Sequence, residues 1–236
     1  MRLAQTALPP LMAAVRADNL EIVKFLLKQG ADKTINQPAS DGKTAIFEAR
    51  SAEMAKLLLA NGADVSHIDE NAQSVLFNAV ARHLNVDLLK VLVQNGANIN
   101  KQDNTGTTAL LKAASYPSSE DKNLVKFLLE NGANVNLANN KGETPLLVAT
   151  ELEVLQVLLT YGADVNSRNE VGETALIHIA QIMDDAGEKT KCLLEYGADA
   201  NVQDKKGKTA LDYASSRVGW PSKKRIEILK QYGGKK

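Results

Sequence analysis

Short apolar stretches alternate with polar segments along this chain at a regular period. Leucine-rich stretches, of which residues 124–129 are an example, are followed by Gly-Ala pairs that begin at Gly30, Gly62, Gly96, Gly132, Gly162 and Gly197. The spacing between successive pairs is nearly constant, and Gly233-Gly234 continues the series in a divergent form. A fixed period of about 20–50 residues is typical of repeat architectures. Within each stretch the apolar residues cover more than half of a helix surface, which predicts helices packed by neighbours on several sides.

A second apolar stretch begins after each polar segment, always at a hydroxyl residue. These residues are Thr44, Ser74, Thr108, Thr144, Thr174 and Thr209. A hydroxyl residue before an apolar run predicts a helix N-cap, and the glycine of each pair fits the end of a helix. Each unit is therefore predicted to be helix, turn, helix, glycine stop and polar excursion. The spacing from that glycine to the next hydroxyl residue is identical in every case except the first, where it is slightly longer. This constancy predicts that neighbouring units stack through their polar excursions.

The repeated units resemble the ankyrin repeat. Residues 142–149, Gly-Glu-Thr-Pro-Leu-Leu-Val-Ala, followed by residues 157–166, are close to the family pattern. The likeness extends over essentially the whole chain as seven units of about 33 residues each. The resemblance implies an all-α fold with β-hairpin loops, an ankyrin-repeat solenoid of stacked helix-turn-helix units. We expect a single domain over residues 1–236. Its repeats should end near residues 32, 64, 98, 134, 164 and 199, with residues 207–236 as a C-terminal capping repeat.

Three departures from the family pattern carry predictions of their own. The histidine that usually follows Thr-Pro-Leu is replaced by Phe47, Phe77, Leu111, Leu147, Ile177 and Asp212. Contacts between units should therefore be largely apolar at this position. The second and fifth units lack about one helical turn between their helices. Ala72 stands where the other hairpins have glycine, and since a residue with a Cβ disfavours positive φ, we expect an altered hairpin with Asn71 in the left-handed conformation.

Composition and charge exclude several classes of protein. The 28 basic and 28 acidic residues cancel, so the chain has no overall positive field to attract nucleic acid or an anionic membrane. The single cysteine, Cys192, excludes an internal disulfide and a cysteine-based zinc site. No apolar run reaches the length of about 18 residues that a membrane span needs. We expect a cytoplasmic protein, or a periplasmic or secreted one if an N-terminal signal has been removed, that is monomeric when free.

No motif in the sequence predicts catalysis. Gly42-Lys43-Thr44 and Gly207-Lys208-Thr209 resemble the end of a phosphate-binding loop, but Gln37 and Val202 stand where it needs a further glycine. His67, His83 and His178 fall in three different units, without metal-ligand spacing to another histidine or cysteine. Cys192 is predicted to be a small buried hydrophobic residue, and nothing beside it suggests the lowered pKa that a nucleophile paired with His178 would need. The sequence therefore predicts no enzyme, cofactor, metal site or small-molecule substrate.

The candidate partner-binding residues follow from the resemblance to ankyrin repeats, in which partners usually bind the concave side built from hairpin tips and first-helix faces. Matching positions at the hairpin tips are Glu70, Asn71, Asn104, Thr105, Asn140, Lys141, Glu170, Val171, Lys205 and Lys206. Positions just before the hydroxyl residue add Gln73, Thr107, Glu143, Glu173 and Lys208. Their charge changes along the chain from neutral to acidic to basic, which would give register to a partner of complementary charge. The alternative for any one of these residues is a solvated side chain that only aids solubility.

The two ends of the sequence differ from the interior. Residues 217–236 carry a net charge of +6, from seven basic residues and one glutamate, so the remainder carries −6. This end is either a capping unit with a polar outer face or a surface on which Trp220 and its basic neighbours contact an acidic partner. At the other end, Leu3, Leu8 and Met12 would expose apolar surface unless the N-terminus folds back over them or a preceding segment is missing.

The function that these features predict is non-catalytic protein–protein interaction. Its form is either an inhibitor or immunity-type protein that occludes a toxin or enzyme, or a host-directed effector or adaptor. Nucleic-acid binding through the basic C-terminus is the alternative from a different class. The near-consensus but compacted units are similar to free-standing bacterial members of the family.

Overall fold

The computed structural model describes residues 9–116, 122–182, 187–216 and 223–235. Trp220, Leu3 and Leu8, which the sequence analysis singled out, lie outside the described residues. The chain divides into two compact units, the first unit Met1–Ala109 and the second unit Leu110–Lys236.

In the first unit, short helices come in pairs. They are α1 (Pro10–Arg16), α2 (Leu20–Lys28), the 3₁₀ helices η1 (Ala31–Thr34) and η2 (Ala45–Glu48), α3 (Ala52–Ala60), α4 (Val75–Ala81) and α5 (Val86–Gln94). The first helices of the pairs pack side by side, α1 on η2 and η2 on α4, while the second helices α3 and α5 form a parallel layer. The core lies between these two layers, with Met54, Leu58, Leu76, Leu89 and Leu92 completely buried.

The second unit repeats the same plan. It contains α6 (Ala109–Ala114), which begins at the unit boundary, α7 (Lys122–Glu130), α8 (Pro145–Val148), α9 (Leu152–Thr160), α10 (Ala175–Gln181), α11 (Glu188–Glu195), α12 (Ala210–Ser215) and α13 (Lys223–Gln231). One layer is formed by α8, α10 and α12, and the other by α7, α9, α11 and α13. None of the helices in the described parts of the chain is long and apolar enough to cross a membrane.

The predicted N-cap hydrogen bond is confirmed at four of the six hydroxyl residues, and α6 begins directly after a fifth, Thr108. Ser74, Thr144, Thr174 and Thr209 accept a hydrogen bond from the backbone N–H three residues on, which is the N-cap arrangement. Thr44 begins η2 without such a bond. The glycines of the Gly-Ala pairs all have φ between 83° and 92°, so they end the helices in the left-handed conformation as expected.

The second and fifth pairs have a first helix of only four residues, η2 and α8, compared with seven in α4 and α10. The predicted shortening of the second and fifth repeats is therefore confirmed. Phe47, Phe77, Leu111, Leu147 and Ile177, which replace the usual histidine, are all buried. Asp212 differs, because its side chain forms a capping box with Thr209 and makes no apolar contribution.

The polar excursions are hydrogen-bonded hairpin turns, and they tie neighbouring pairs together. Within the described residues there is one isolated antiparallel β-bridge, between Ile68 and Ser74. Asparagine side chains extend the connection: Asn136 Nδ2 donates to the carbonyl of Gly162 at 3.2 Å, and its Oδ1 accepts from the N–H of Asp164 at 2.8 Å. Asn36, Asn166 and Asn201 make the same pair of bonds to the pair of helices that follows each of them. Stacking through the polar excursions is thus confirmed within each unit.

The prediction for the hairpin at Ala72 is wrong. Ala72 itself adopts φ = 59°, while Gly42 and Gly106 at the same position of their hairpins have φ = 78°. The hairpin keeps its hydrogen bonds, from Asp69 N to Gln73 O at 3.0 Å and from Ala72 N to Asp69 O at 2.9 Å. The contacts that close this turn hold the alanine in a conformation that it disfavours alone.

Met12, one of the three apolar residues singled out near the N-terminus, is 2% exposed, whereas Leu3 and Leu8 lie outside the described residues. The apolar surface at this end of the unit lies instead on α2, where Phe25 is 61% exposed and Ile22 is 48% exposed.

Candidate partner-binding surfaces

The predicted hairpin residues of the second unit are held by side-chain hydrogen bonds at the base of each turn. Asn139 Oδ1 accepts from the backbone N–H groups of Lys141 and Glu143, at 2.9 and 3.0 Å. The same two-bond arrangement recurs in the following hairpins, with Asn169 and then Asp204 as the acceptor. A short polar side chain that closes its own turn fixes the turn's backbone.

Backbone hydrogen bonds join these hairpins to each other. The N–H of Glu170 donates to the carbonyl of Lys141, and the N–H of Lys205 donates to the carbonyl of Val171, both at 2.9 Å. The tips therefore form one row, which we call the second-unit tip row. It consists of Asn140, Lys141, Glu143, Glu170, Val171, Glu173, Lys205, Lys206 and Lys208.

Within the second-unit tip row the acidic side chains have two different settings. Glu170 is exposed at its tip, whereas Glu143 and Glu173 are half-buried at the base of their hairpins. The carboxylate of Glu143 accepts from Asn139 Nδ2 at 2.7 Å, and that of Glu173 accepts from Gln181 Nε2 at 2.9 Å. Glu143 and Glu173 are thus oriented by neighbours, while Glu170 presents its carboxylate to solvent.

The basic end of the second-unit tip row has a fixed structure around Asp204. Tyr213 Oη donates to Asp204 Oδ2 at 2.5 Å, and this hydrogen bond raises the pKa of Tyr213 to about 12. Lys208 Nζ lies 5.3 Å from the centre of the Tyr213 ring, within cation–π distance. Lys205 and Lys206 are exposed beside this group. The predicted basic patch therefore combines one lysine held against an aromatic ring with two that point into solvent.

The predicted residues of the first unit form a similar arrangement. Asp69 Oδ1 accepts from the N–H groups of Asn71 and Gln73, and Asp103 Oδ1 accepts from those of Thr105 and Thr107. The N–H of Asn104 donates to the carbonyl of Asn71 at 2.9 Å, and Asn104 Nδ2 donates to the carbonyl of Glu70 at 3.2 Å. These tips are polar, with Glu70 as the one charged side chain among the six predicted residues.

The sequence analysis missed a charged cavity in the first unit. Its volume is about 270 Å³, and its lining residues, which we call the first-unit pocket, are Arg16, Lys43, Glu48, Arg50, Asn78 and Arg82. They come from the ends of α1 and η2, the base of the first hairpin, and the buried side of α4 with the residue that follows this helix. When the ankyrin-like repeats are aligned, a cationic residue follows each of Ala14, Ala49 and Ala79 by one to three positions, and this recurrence was the signal in the sequence for the pocket.

Glu48 forms the centre of the first-unit pocket although it is only 6% exposed. Arg16 binds its carboxylate through two bonds, Nη2 to Oε1 at 2.7 Å and Nε to Oε2 at 3.1 Å, and Arg82 Nη1 lies 3.7 Å from Oε2. Burial acts to raise the pKa of Glu48, but the hydrogen bond and charge of Arg16, with the charges of Arg82 and Lys43, outweigh it and leave that pKa below its usual value. Glu48 is therefore ionised in the folded protein at neutral pH.

The basic C-terminal segment contributes less to the surface than its charge count suggested. Arg225 on α13 is 2% exposed, and its Nη1 donates to the carbonyls of Ala180 and Ile182 at 3.0 and 3.2 Å. These carbonyls belong to the C-terminal end of α10, where a cation is favoured. One of the cations assigned to a possible acidic partner is thus part of the packing between α10 and α13.

Cys192 is 6% exposed on α11, and burial followed by the charge of Glu195 raises the pKa of its thiol. A raised pKa disfavours the reactive thiolate. Across the described ranges, no group of three or more His, Cys, Asp or Glu side chains is arranged to hold a metal ion.

The sequence and the fold of this chain were compared with those of known proteins. A sequence model of ankyrin repeats matches three stretches of the chain, residues 3–69, 76–169 and 150–233. The crystal structure of the ankyrin repeat domain of Bcl-3, a member of the IkappaB protein family, is similar with a TM-score of 0.78 and 26% identity, covering 96% of this chain and 100% of that one. The human ASB11 ankyrin repeat domain is similar with a TM-score of 0.80 and 25% identity, covering 96% and 99%. No curated protein sequence matches the chain. These similarities confirm the predicted fold class.

Proposed function

Because this chain belongs to the ankyrin-repeat family, whose domains generally mediate protein–protein interaction, we propose that it binds a protein partner through its hairpin tips and first-helix faces. The observation that carries the proposal is the second-unit tip row. Its backbone is fixed by turn-closing and hairpin-to-hairpin hydrogen bonds, so little conformational entropy is lost when a partner binds.

The exposed side chains of the second-unit tip row supply the specificity. Glu170 and Val171 lie beside Lys205 and Lys206, and Val171 is 52% exposed. An apolar side chain among charges of both signs suits an interface in which a small apolar contact is surrounded by complementary charges. The acidic part of the row is expected to face a basic region of the partner.

Within this function we favour an inhibitor or immunity-type role, in which the protein covers a functional surface of one target. The continuous row of tips in the second unit supports a single partner there. An adaptor would instead hold two proteins at once, and the stoichiometry of the isolated complex separates the two roles. We do not propose nucleic-acid binding through the C-terminus, because the chain as a whole carries no net positive charge and Arg225 of this segment is buried against the carbonyls of Ala180 and Ile182.

The test is capture of partners from the source cell by the immobilised protein, compared with a variant carrying Glu143→Lys, Glu170→Lys and Glu173→Lys. The matched control carries the same charge change on second helices of the same unit, as Glu130→Lys, Glu188→Lys and Glu195→Lys. We expect the tip variant to lose the partner by about tenfold or more in affinity, equivalent to about 1.4 kcal/mol, and the control to keep it.

A partner retained equally by both variants would show that the acidic tips are not the binding surface. Loss from both would show that only net charge matters. Because Glu143 and Glu173 have hydrogen-bonding neighbours, the single variant Glu170→Lys accompanies the set. It changes only an exposed side chain, and an unchanged far-UV circular dichroism spectrum verifies that folding is intact.

A further inference from the structure

The first-unit pocket, which is a depression open to solvent, has an excess of positive charge. Four of its lining residues are cationic and one is a carboxylate, a formal net charge of +3. Of these charges, Arg16 is committed to Glu48 through two hydrogen bonds. Lys43 Nζ lies 3.2 Å from the carboxylate of Asp41, an exposed residue at the rim. Arg82 Nη1 lies 3.7 Å from Glu48 Oε2, a longer contact than those of Arg16, so within the described residues Arg50 is the cation without an anion beside it and Arg82 is the next most available.

These two arginines differ in how firmly they are held. Arg82 Nη1 donates to the carbonyl of Phe47 at 3.0 Å, and Asn78 Nδ2 donates to the same carbonyl at 2.9 Å. Arg50 is exposed and has no hydrogen-bond or ion-pair partner among the residues that the structure describes. The pocket therefore combines one guanidinium anchored to the backbone with one whose donors are all available. A guanidinium binds a carboxylate through two parallel hydrogen bonds, as Arg16 already does with Glu48.

We propose that the first-unit pocket binds the carboxylate of an aspartate or glutamate side chain from an acidic segment of a protein partner. The proposal rests on the protein-binding function above and adds to it a second subsite with the opposite charge preference from the acidic tips. In it, Arg50 and Arg82 bind the incoming carboxylate, while Glu48 holds Arg16 in place and sets the depth of the pocket.

Charge alone does not choose between a carboxylate and a phosphate in this pocket. Glu48 repels either anion, and the excess of cations attracts a phosphate, with about −1.5 to −2 charges at neutral pH, more strongly than a carboxylate. The choice of a carboxylate rests on the pair already present, in which Arg16 binds Glu48 through two hydrogen bonds, and the phosphoserine probe below tests it.

The position of the pocket connects it to the predicted hairpin tips of the first unit. Lys43 lies at the base of the first hairpin, directly after Gly42. The carbonyl of Asp41 in that hairpin accepts from the N–H of Glu70, the first residue of the next tip, at 3.3 Å. A partner segment that lies along these tips therefore passes the opening of the pocket.

The experiment measures binding of short fluorescein-labelled peptides to the full chain by fluorescence anisotropy. The probes are a poly-glutamate peptide, a poly-glutamine peptide of the same length, and a poly-glutamine peptide with one phosphoserine. The variants are Arg50→Gln and, as the matched control, Lys56→Gln, which removes an exposed cation from α3 on the other layer of the same unit.

We expect poly-glutamate to bind and poly-glutamine not to bind. Arg50→Gln should weaken poly-glutamate binding by about tenfold, equivalent to about 1.4 kcal/mol, and Lys56→Gln should change it by less than about twofold. Equal losses in both variants, or no loss in Arg50→Gln, would overturn the proposal. Tighter Arg50-dependent binding of the phosphoserine peptide than of poly-glutamate would overturn the choice of a carboxylate.

Failure of this proposal is distinguishable from failure of the proposed function. The peptide assay depends on residues of the first unit, and partner capture is tested with changes in the second unit. If capture depends on the second-unit tip row while the peptide assay shows no Arg50 dependence, the protein-binding function stands and the carboxylate subsite is wrong.

Discussion

Replacing Ala72 by glycine is expected to stabilise the first unit. Ala72 has φ = 59° in a hairpin whose hydrogen bonds match those of hairpins with glycine at this position. An L-residue in the left-handed region loses about 1–2 kcal/mol relative to a right-handed conformation. The glycine variant removes this strain but adds about 0.5–1 kcal/mol of backbone entropy to the unfolded chain. Since the half-buried methyl group contributes little burial, the net gain is about 0.5–1 kcal/mol.

The assay is urea unfolding followed by far-UV circular dichroism, with the midpoint and the slope determined separately. Hydrogen exchange of the Ala72 and Gln73 amides adds a local measurement, because both donate within the turn, to Asp69 O and Asp69 Oδ1. Ala72→Gly should raise the midpoint at an unchanged slope and slow these two amides.

The matched control for this prediction is the reverse change at Gly207, where φ is 73° and a Cβ would meet nothing within 4 Å. Gly207→Ala therefore introduces the left-handed penalty without a steric clash, and it should lower the midpoint by a similar amount. If Gly207→Ala lowers the midpoint while Ala72→Gly leaves it unchanged or lower, the reasoning that Ala72 is strained would be refuted.

Two further predictions concern the buried charges. Arg225→Ala should speed hydrogen exchange in α13 by an amount equivalent to about 2–4 kcal/mol, because two charge-assisted bonds to the carbonyls of Ala180 and Ile182 are lost. The control Lys230→Ala, on the same helix, should have little effect. Similar exchange rates in both variants would contradict this prediction. Glu48→Gln should lower the free energy of unfolding by about 1–2 kcal/mol at neutral pH, discounted because Arg16 is half exposed to solvent. Because the pKa of Glu48 is lowered in the folded protein, the stabilisation by its carboxylate is fully present above the ordinary glutamate pKa and is lost as the pH falls through the lowered pKa. The difference in unfolding free energy between the variant and the parent should therefore shrink in acid. A difference that does not depend on pH, or one that Glu53→Gln on α3 reproduces, would contradict the assignment.

The helices and turns were predictable because their causes are local. Leucine spacing, a hydroxyl residue at the N-cap and a glycine at the end each act over a few residues, so α4, α8 and α10 begin where Ser74, Thr144 and Thr174 indicated. Thr44 shows the limit of this reasoning. Its hydroxyl is buried without a hydrogen-bond partner, because the helix that it begins is a single 3₁₀ turn.

The hairpin at Ala72 could not be predicted from residue preferences. A preference for glycine at positive φ is a local average, whereas Ala72 is held by bonds to Asp69 on one side and by the bond from Asn104 N to Asn71 O on the other. Together these contacts outweigh a penalty of about 1–2 kcal/mol for one residue. Such competition between local preference and tertiary contacts is visible only once the neighbouring hairpin is in place.

The first-unit pocket was missed for a different reason. Arg16, Glu48 and Arg82 are far apart along the chain, and each lies in a different pair of helices. Aligning the repeats places the three residues at nearly equivalent positions, but the alignment does not indicate which side chains turn toward each other. The hairpin positions carried over from the family were polar residues at turn tips, whereas these arginines follow the small residues of the first helices.

The buried charges separate the structural part of the charge pattern from the part available to a partner. Glu48 is neutralised by cations, so it remains coupled to pH and to any anion that enters the first-unit pocket. Arg225 donates to the backbone carbonyls of Ala180 and Ile182, which do not titrate, so these bonds serve the packing of α13 on α10. A net charge of +6 for the C-terminal segment therefore overstates its exposed charge, while the zero net charge of the chain conceals a basic pocket in one unit and acidic tips in the other. An experiment that changes only the total charge of the protein would detect neither surface. Each binding experiment above therefore compares a variant with a control that carries the same change in charge at another position.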